Sequence, residues 1–393
     1  MESEFYRISR LPPYVFAEVN RMKAEARAKG EDIIDLGMGN PDSPTPKHIV
    51  EKLIESAKNP RSHGYSMSKG IPGLRKALCK YYLKRFNVEL DSNKEVVVTI
   101  GSKEGLASLA TAITSPGDVV MVPDPSYPIH TYGFILAGAS VWSLPNIVNG
   151  KGLIEQIKVA IERCSPKPLA LVLNFPGNPT SEVVGLDFYE EVVKLCLEKK
   201  IYIISDLAYA EIYFDENNPP PSILQVEGAK DIAIEFTSVS KTYSMAGWRV
   251  GFAAGNRKLI EALTHIKSYN DYGAFTPIQV AAAAALNGSQ ECVKKARILY
   301  KERRDILVKG LHDAGWNVPV PMASMFIWAP LPEKYKHLTS LEFCKLLLQE
   351  AKVAVAPGIG FGPNGEGYVR IALVENKQRI RQACKNIRTF LQA

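Results

Sequence analysis

Short runs of apolar, often β-branched residues recur through the middle of the chain, and stretches with helical spacing separate them. The runs cover residues 96–100, 119–122, 170–173, 201–205, 232–237 and 250–254. This alternation is typical of a mostly parallel sheet whose two faces are covered by helices. Ligands of such sheets bind at the carboxyl ends of the strands. The residues that follow each run are therefore the first candidates for a functional site.

The pattern differs at both ends of the chain. An arm and a helix over residues 14–28 are predicted first, followed by a short strand over 32–37 and a glycine-rich turn over 37–42. Beyond a long charged helix over 290–314, the predicted elements are a strand over 324–329, a helix over 340–351, a glycine-rich loop over 357–367, a strand with Arg370 and a helix over 377–391. We predict three units: residues 1–45 as an arm and part of a small domain, 46–280 as a large domain, and 281–393 as a small α+β domain.

Composition and charge narrow the class of protein. With 393 residues, of which 46% are hydrophobic, the chain is long enough for about two packed domains. The net charge of +7 comes from interspersed charges without a basic tail, so no nucleic-acid partner is predicted. The polar N-terminus and the lack of an apolar run of about 18 residues predict neither a signal peptide nor a membrane span.

Cysteines and histidines give no sign of a metal centre. The six cysteines form no C-x-x-C pair, and the six histidines form no H-E-x-x-H motif. Scattered cysteines are typical of free thiols in a reducing compartment. We therefore expect a cytoplasmic protein without a metal site.

The stretch T-S-V-S-K-T-Y-S-M-A-G-W-R-V-G, residues 237–251, carries the most specific chemistry. It presents Ser238, Ser240 and Lys241 directly after an apolar run, and Arg249 follows. An amine beside hydroxyls and a guanidinium that can hold an anion suits a Schiff-base lysine next to a phosphate. An isolated S-x-S-K is more often a solvated loop, so the interpretation depends on the other strand ends.

Other strand ends carry compatible residues, each with an ordinary structural alternative. Gly101, Ser102 and Lys103 open a helix whose N–H groups could cradle a phosphate, although serine is also a plain helix cap. Tyr127, held between prolines in P-D-P-S-Y-P, could stack on a flat ring or fill a core. Asn178 in N-F-P-G-N-P-T is by itself a turn asparagine.

The carboxylate of Asp206 in S-D-L-A-Y-A-E could cap a helix or pair with a buried cation, and Tyr209 follows on the same segment. Three further candidates lie elsewhere: Gly39 in the glycine-rich turn, Tyr65 in H-G-Y-S-M-S-K-G, and Arg370 in G-Y-V-R-I-A-L. Alone, they would be a loop glycine, a packed surface tyrosine and a half-buried strand arginine.

Together these segments resemble the class I/II pyridoxal-phosphate-dependent aminotransferases of fold type I, in the expected order and over essentially the whole chain. The resemblance implies an α/β fold with a mostly parallel seven-stranded sheet in the large domain and a smaller α+β C-terminal domain. It also implies pyridoxal 5′-phosphate as the cofactor, amino acids and 2-oxo acids as substrates, and a homodimer with shared active sites.

The resemblance assigns a role to each candidate. Lys241 would hold the cofactor covalently and move a proton, Asp206 would keep the ring nitrogen protonated, and Tyr127 would stack on the ring. Asn178 and Tyr209 would bind the ring's phenolic oxygen. The remaining cofactor ligands would lie around the phosphate: Gly101, Ser102, Lys103, Ser238, Ser240, Arg249 and Tyr65 of the partner subunit.

The substrate carboxylate calls for a planar two-donor clamp, which arginine supplies and lysine does not. Arg370 stands where the family has this arginine, and the Gly39 backbone and Asn178 would complete the substrate pocket.

Three segments, D-L-G-M-G-N-P-D, D-L-A-Y-A-E-I-Y and K-S-Y-N-D-Y-G-A-F-T-P, resemble the branch of bacterial alanine (glutamate–pyruvate) transaminases and their diaminopimelate- and aspartate-using relatives. No arginine occurs between Lys258 and Lys294, where aspartate transaminases of the best-known branch have a partner-donated arginine for the distal carboxylate. This absence counts against a dedicated dicarboxylate enzyme. We expect amino transfer between alanine and 2-oxoglutarate by a ping-pong mechanism. The alternatives are an LL-diaminopimelate or aspartate aminotransferase, a β-lyase or decarboxylase, and a non-catalytic metabolite-binding regulator.

Overall fold

A mostly parallel sheet of seven strands dominates the structure, a computed structural model that describes residues 5–12, 15–145 and 151–392. The strand order is β2-β8-β7-β6-β5-β3-β4. Among these described strands, β8 alone runs in the direction opposite to the other six. The strands of the chain are β1 (Ile34–Asp35), β2 (Val96–Thr99), β3 (Val119–Asp124), β4 (Ser140–Pro145), β5 (Ala170–Asn174), β6 (Tyr202–Asp206), β7 (Ala233–Ser238), β8 (Gly251–Gly255), β9 (Phe326–Pro330), β10 (Val353–Ala354), β11 (Ala356–Pro357) and β12 (Tyr368–Ala372).

Helices cover both faces of this sheet. The α-helices are α1 (Tyr6–Ser9), α2 (Val15–Ala28), α3 (Lys47–Ala57), α4 (Pro72–Phe86), α5 (Ser102–Ile113), α6 (Pro128–Ala137), α7 (Lys151–Arg163), α8 (Leu186–Lys199), α9 (Ala229–Ile232), α10 (Val239–Thr242), α11 (Arg257–Asn270), α12 (Thr276–Asn287), α13 (Glu291–Asp313), α14 (Ser340–Ala351) and α15 (Lys377–Gln392). The helix expected over 14–28 starts at Val15, and residue 14 lies outside the described residues.

Alternate residues of each strand enter different cores. On β2, Val96 and Val98 pack with α4 and α8 residues, whereas Val97 packs with residues of α5, α6 and α11. Successive side chains of a strand point to opposite faces, so a strand buried on both faces reads as a continuous apolar run. This is why the sequence pattern located six of the seven strands.

The seventh strand, β4, was missed by the sequence pattern. It pairs only with β3 at the edge of the sheet, and Ser140 and Ser143 are exposed. An edge strand that is partly exposed on both faces lacks the continuous apolar run that marked the others.

Smaller sheets form a second core. β1 pairs with β10, and β11, β12 and β9 form an antiparallel sheet packed against α14 and α15. The long helix α13 links the two cores, because Val293 packs near the large sheet and Leu307 near the small one. The domain limits drawn from the sequence stay a prediction.

Parallel strands bring their carboxyl ends to one edge of the large sheet. β6 ends at Asp206 and β7 at Ser238, while β5 ends at Asn174, which is in register with Asp206. No helix in the described ranges is long and apolar enough to cross a membrane.

Candidate active site

A cavity of about 550 Å³ lies at this edge, between the large sheet and the loops of the small one. Most of the candidate residues line it: Gly39, Ser102, Lys103, Tyr127, Asn178, Asp206, Tyr209, Ser238, Ser240, Lys241, Arg249 and Arg370. The structure therefore brings together residues separated by more than 300 positions in the sequence.

Lys241 lies on α10, a single helical turn directly after β7. Its Nζ donates a 2.6 Å hydrogen bond to the carbonyl oxygen of Gly39. Burial, and then the positive charges of Arg370 and Arg249, lower the pKa of Lys241 to about 8. A substantial fraction of the amine is therefore neutral and nucleophilic close to physiological pH.

Asp206 is buried at the end of β6, and its two carboxylate oxygens have separate partners. Oδ1 accepts a 3.1 Å hydrogen bond from the backbone N–H of Ala208, and Oδ2 lies 2.9 Å from Nε2 of His130. With Asp206 ionised, this geometry requires the His130 tautomer that carries its proton on Nε2.

His130 was not identified from the sequence. It lies on the first turn of α6, three residues after Tyr127, and its ring meets the Tyr127 ring edge-on at 6.0 Å. A signal existed, since a histidine in the apolar segment P-I-H-T-Y-G-F-I-L-A needs a polar partner when buried. Nothing local indicated that the partner would be Asp206.

Asn174 is a second residue that the sequence did not single out. Its Nδ2 donates to the Asp206 carbonyl at 2.8 Å, and its Oδ1 accepts from the Asn178 backbone N–H at 2.8 Å. Asn174 thus fixes the turn with Asn178 relative to the strand end with Asp206.

Hydroxyls, backbone N–H groups and a guanidinium converge at the start of α5. Ser102 Oγ donates to the Thr237 carbonyl at 2.9 Å, and Ser238 Oγ accepts from Ser240 N–H at 3.0 Å. Gly101, which borders the cavity without lining it, has φ +80°, and a Cβ there would stand 2.0 Å from Nη2 of Arg249. Only glycine lets the guanidinium approach the helix start this closely.

Arg370 lies on β12 and is buried. Its Nη1 donates to Asn178 Oδ1 at 2.7 Å, and its Nη2 donates to the Gly37 carbonyl at 3.0 Å. The guanidinium carbon lies 4.1 Å from the ring centre of Phe326 and 4.6 Å from that of Phe361. These contacts fix the plane of the guanidinium, which a bidentate carboxylate clamp requires.

The Phe326 ring also organises the neighbouring positions. A Cβ on Gly39 would stand 2.6 Å from its Cζ, and the Tyr209 ring packs edge-on against it at 5.5 Å. Burial raises the pKa of the Tyr209 hydroxyl well above its ordinary value, so this group remains a hydrogen-bond donor.

Two candidates lie at or beyond the rim. Lys103 is exposed, with its Nζ 5.9 Å from the centre of the Tyr127 ring. Tyr65 is 89% exposed, packs against Tyr272 with the ring centres 4.6 Å apart and the planes tilted by 35°, and lines no part of this cavity in its own chain.

The donor set fits pyridoxal phosphate. An amine with a lowered pKa, a buried carboxylate and an anion cradle formed by Gly101 and Arg249 surround one cavity. Four of the described lining residues carry positive charge and one carries negative charge: Lys103, Lys241, Arg249, Arg370 and Asp206. Within the described ranges, no group of three His, Cys, Asp or Glu residues is placed to hold a metal ion.

Comparison with known proteins identifies the family of the chain. The family described as aminotransferase class I and II matches residues 31–387. The chain is 58% identical to the putative aminotransferase AatC of Rhizobium meliloti (strain 1021), over 99% of this chain and 95% of that protein. It is 54% identical to the glutamate-pyruvate aminotransferase AlaC of Escherichia coli (strain K12), over 100% and 95%. It is 42% identical to an LL-diaminopimelate aminotransferase of Moorella thermoacetica, over 99% and 98%.

Solved structures share the whole fold. The substrate-bound structure of BacF from Bacillus subtilis superimposes with a TM-score of 0.91 at 34% identity, covering 99% of this chain and 98% of that chain. The fold type I architecture expected from the sequence is thereby confirmed. The chain belongs to the class I and II aminotransferases and is a pyridoxal-phosphate-dependent enzyme that acts on amino acids and 2-oxo acids.

Proposed function

We propose that this enzyme is a homodimeric transaminase that exchanges the amino group between alanine and 2-oxoglutarate by a ping-pong mechanism. The observation that carries the proposal is the single cavity that places the Lys241 amine, the Asp206 carboxylate and the Arg370 guanidinium around one space. The choice of alanine is supported by the 54% identity to a relative named glutamate-pyruvate aminotransferase.

Lys241 and Asp206 have different roles in the proposed reaction. When bound, pyridoxal 5′-phosphate acts as an electron sink that makes the Cα proton of the amino acid acidic. The neutral Lys241 amine would hold the cofactor and, when not bound to it, would take and return the Cα proton of the amino acid. Asp206, held by His130, stabilises a protonated ring nitrogen through a charge-assisted hydrogen bond.

Three groups of residues bind and orient the reactants. Arg370, aligned by Asn178 and Gly37, clamps the α-carboxylate, and Gly39 completes the pocket. Asn178 and Tyr209 hold the phenolic oxygen, while Tyr127 stacks on the ring. The phosphate is bound by the α5 start and its neighbours: Gly101, Ser102, Lys103, Ser238, Ser240 and Arg249.

A second copy of the chain completes the phosphate site in this proposal. Tyr65 and Tyr272 form an exposed aromatic pair. Tyr269, which belongs to the same sequence motif K-S-Y-N-D-Y as Tyr272, is 80% exposed. Such exposed aromatic rings are typical of protein interfaces. We infer that the dimer covers this surface and brings Tyr65 to the neighbouring phosphate.

Half-reaction spectroscopy tests the substrate assignment. Adding alanine to the loaded enzyme should bleach the absorbance of the bound cofactor, and 2-oxoglutarate should restore it. Lys241→Ala should abolish turnover, and undiminished steady-state activity in that variant would refute the role of Lys241. Bleaching by LL-diaminopimelate or aspartate but not by alanine would overturn the alanine assignment.

The identity to LL-diaminopimelate aminotransferases favours one rival substrate. A panel of alanine, glutamate, aspartate and LL-diaminopimelate against pyruvate and 2-oxoglutarate ranks the donors by kcat/KM. Release of pyruvate or ammonia from an amino acid without an oxo-acid acceptor would instead indicate a β-lyase.

A further inference from the structure

The loop of residues 358–365, between β11 and β12, joins the small sheet to the rim of the active-site cavity. It carries Phe361, which lines the cavity. Two contacts dock the loop on the large sheet: Ser126 N–H donates to the Phe361 carbonyl at 2.8 Å, and Asn364 reaches the carboxylate of Asp124. The contacts therefore join the two sheets directly beside the cavity.

Asp124 is a buried carboxylate, 6% exposed, at the end of β3. Its Oδ2 accepts hydrogen bonds from Asn364 Nδ2 at 2.8 Å and from Ser143 Oγ at 3.1 Å, with the Asn364 backbone N–H at 3.4 Å. Two of these three donors belong to the loop. Burying a carboxylate is unfavourable unless it accepts hydrogen bonds, so the two donors from the loop offset this cost and stabilise the docked position.

The other oxygen of Asp124 faces the loop backbone. A Cβ on Gly362, which has φ +127°, would stand 2.0 Å from Oδ1, and no residue that the structure describes donates a hydrogen bond to this oxygen. The loop is thus in van der Waals contact with the whole carboxylate, and glycine is needed for that approach.

Contacts at both ends of the loop hold its shape around Phe361. A Cβ on Gly358 would stand 1.9 Å from the carbonyl oxygen of Gly365, so the two ends of the loop are in close contact. Ser340 Oγ, at the start of α14, donates a 3.2 Å hydrogen bond to Glu366. The same oxygen accepts a 3.2 Å hydrogen bond from the Ile359 N–H.

Phe361 connects the docked loop with the proposed substrate pocket. Its ring centre lies 4.6 Å from the Arg370 guanidinium carbon and 5.2 Å from the Phe16 ring centre. Ser126, whose N–H donates to the Phe361 carbonyl, directly precedes Tyr127, which also lines the cavity. Docking therefore sets the apolar wall beside the proposed carboxylate clamp.

We propose that Asp124 and Asn364 form a latch that positions Phe361 against Arg370 and so determines how tightly the substrate carboxylate is held. They are positioning residues for amino transfer, since neither is proposed to touch the reacting atoms. The inference rests on the proposed role of Arg370 as the carboxylate clamp.

A charge swap tests the latch. Asn364→Asp places a second carboxylate against Asp124, so we expect the KM of both substrates to rise about tenfold with kcat within about twofold of the parent. The double variant Asp124→Asn with Asn364→Asp restores one amide and one carboxylate, and its KM should return to within about threefold of the parent. Asn287→Asp, at an exposed position on α12, adds the same charge elsewhere and should leave KM unchanged.

Two further variants keep the outcome decisive. If Asn364→Asp fails to fold, as judged by its melting curve, Asn364→Ala removes the donor without adding charge and should raise KM about threefold. An unchanged KM in the foldable Asn364 variant, or a double variant as impaired as Asn364→Asp, would overturn the latch. Arg370→Lys in the same assay separates the two ideas, because an unchanged KM there contradicts the carboxylate clamp rather than the latch.

Discussion

At Lys241, a single side chain acquires its chemistry from its surroundings. The amine is desolvated by burial and lies near two guanidinium groups, and both effects disfavour its protonated form. A solvated lysine would hold its proton through the whole physiological range. The same residue type is therefore a nucleophile here and a surface charge elsewhere on the molecule.

We predict that covalent capture of added pyridoxal phosphate by the apoenzyme rises with pH to a midpoint at about 8 and then levels off, because the amine is protonated below its pKa and neutral above it. Arg370→Gln removes a positive charge, so it should move the midpoint to higher pH. Stopped-flow absorbance gives the rates. A midpoint near the ordinary lysine value of about 10.4 in the parent would contradict the prediction.

We expect His130 to affect catalysis through its hydrogen bond to Asp206. His130→Phe removes the donor to Asp206 Oδ2, and we expect kcat to fall about tenfold, the size of effect that a hydrogen bond to a buried charged group provides. His130→Gln can place an N–H where Nε2 lies, and it should retain more activity than the phenylalanine variant. Steady-state assays at saturating substrate make the comparison, and equal kcat values for the two variants would argue against this role.

At the scale of elements, the site is built from two strand ends, one residue in the middle of a strand and one helix start. Asp206 ends β6, Lys241 lies on α10 directly after β7, Arg370 lies in the middle of β12, and the start of α5 contributes to the anion cradle. The close approach of Arg249 to this helix start depends on glycine at position 101, because a side chain there would displace the guanidinium. The backbone of α5 is therefore as much a part of the proposed phosphate site as any side chain.

Gly101→Ala and Gly30→Ala form a matched pair. Both glycines have nearly the same positive φ, +80° and +82°, but a Cβ on Gly30 meets nothing within 4 Å. Alanine is strained at both φ values, by roughly 1–3 kcal/mol, and more so at Gly101, whose ψ of 156° lies in a region occupied almost only by glycine. Only Gly101→Ala should weaken cofactor binding, about tenfold or more through the displaced guanidinium. Equilibrium dialysis with pyridoxal phosphate measures this, and equal dissociation constants in the two variants would contradict it.

At the scale of the whole molecule, two sheets and a predicted second subunit enclose one cavity. Arg370 comes from the small sheet and Lys241 from the large one, so the site exists only when both are packed together. Tyr65 lies outside the cavity of its own chain. The proposed dimer would supply the matching tyrosine from the other subunit.

Complementation tests the shared site. Lys241→Ala and Tyr65→Ala proteins, each of low activity, should regain activity after subunit exchange, because a hybrid dimer holds one site with both residues intact. Equal mixing gives half hybrids with one good site of two, so about a quarter of the parent activity is expected from the two-fold symmetry. Activity equal to the average of the two unmixed variants would rule out a site shared in this way.

The sequence by itself determined the strands buried on both faces, because their apolar runs are local, and it determined the chemical candidates that follow them. It did not locate β4, whose exposed serines interrupt the apolar pattern. Only the tertiary structure paired His130 with Asp206 and Arg370 with Asn178, across 76 and 192 residues of sequence. It alone lowered the pKa of Lys241 and fitted Arg249 against Gly101. Such effects depend on distance and burial, which arise when separate elements pack together and which no local stretch of sequence contains.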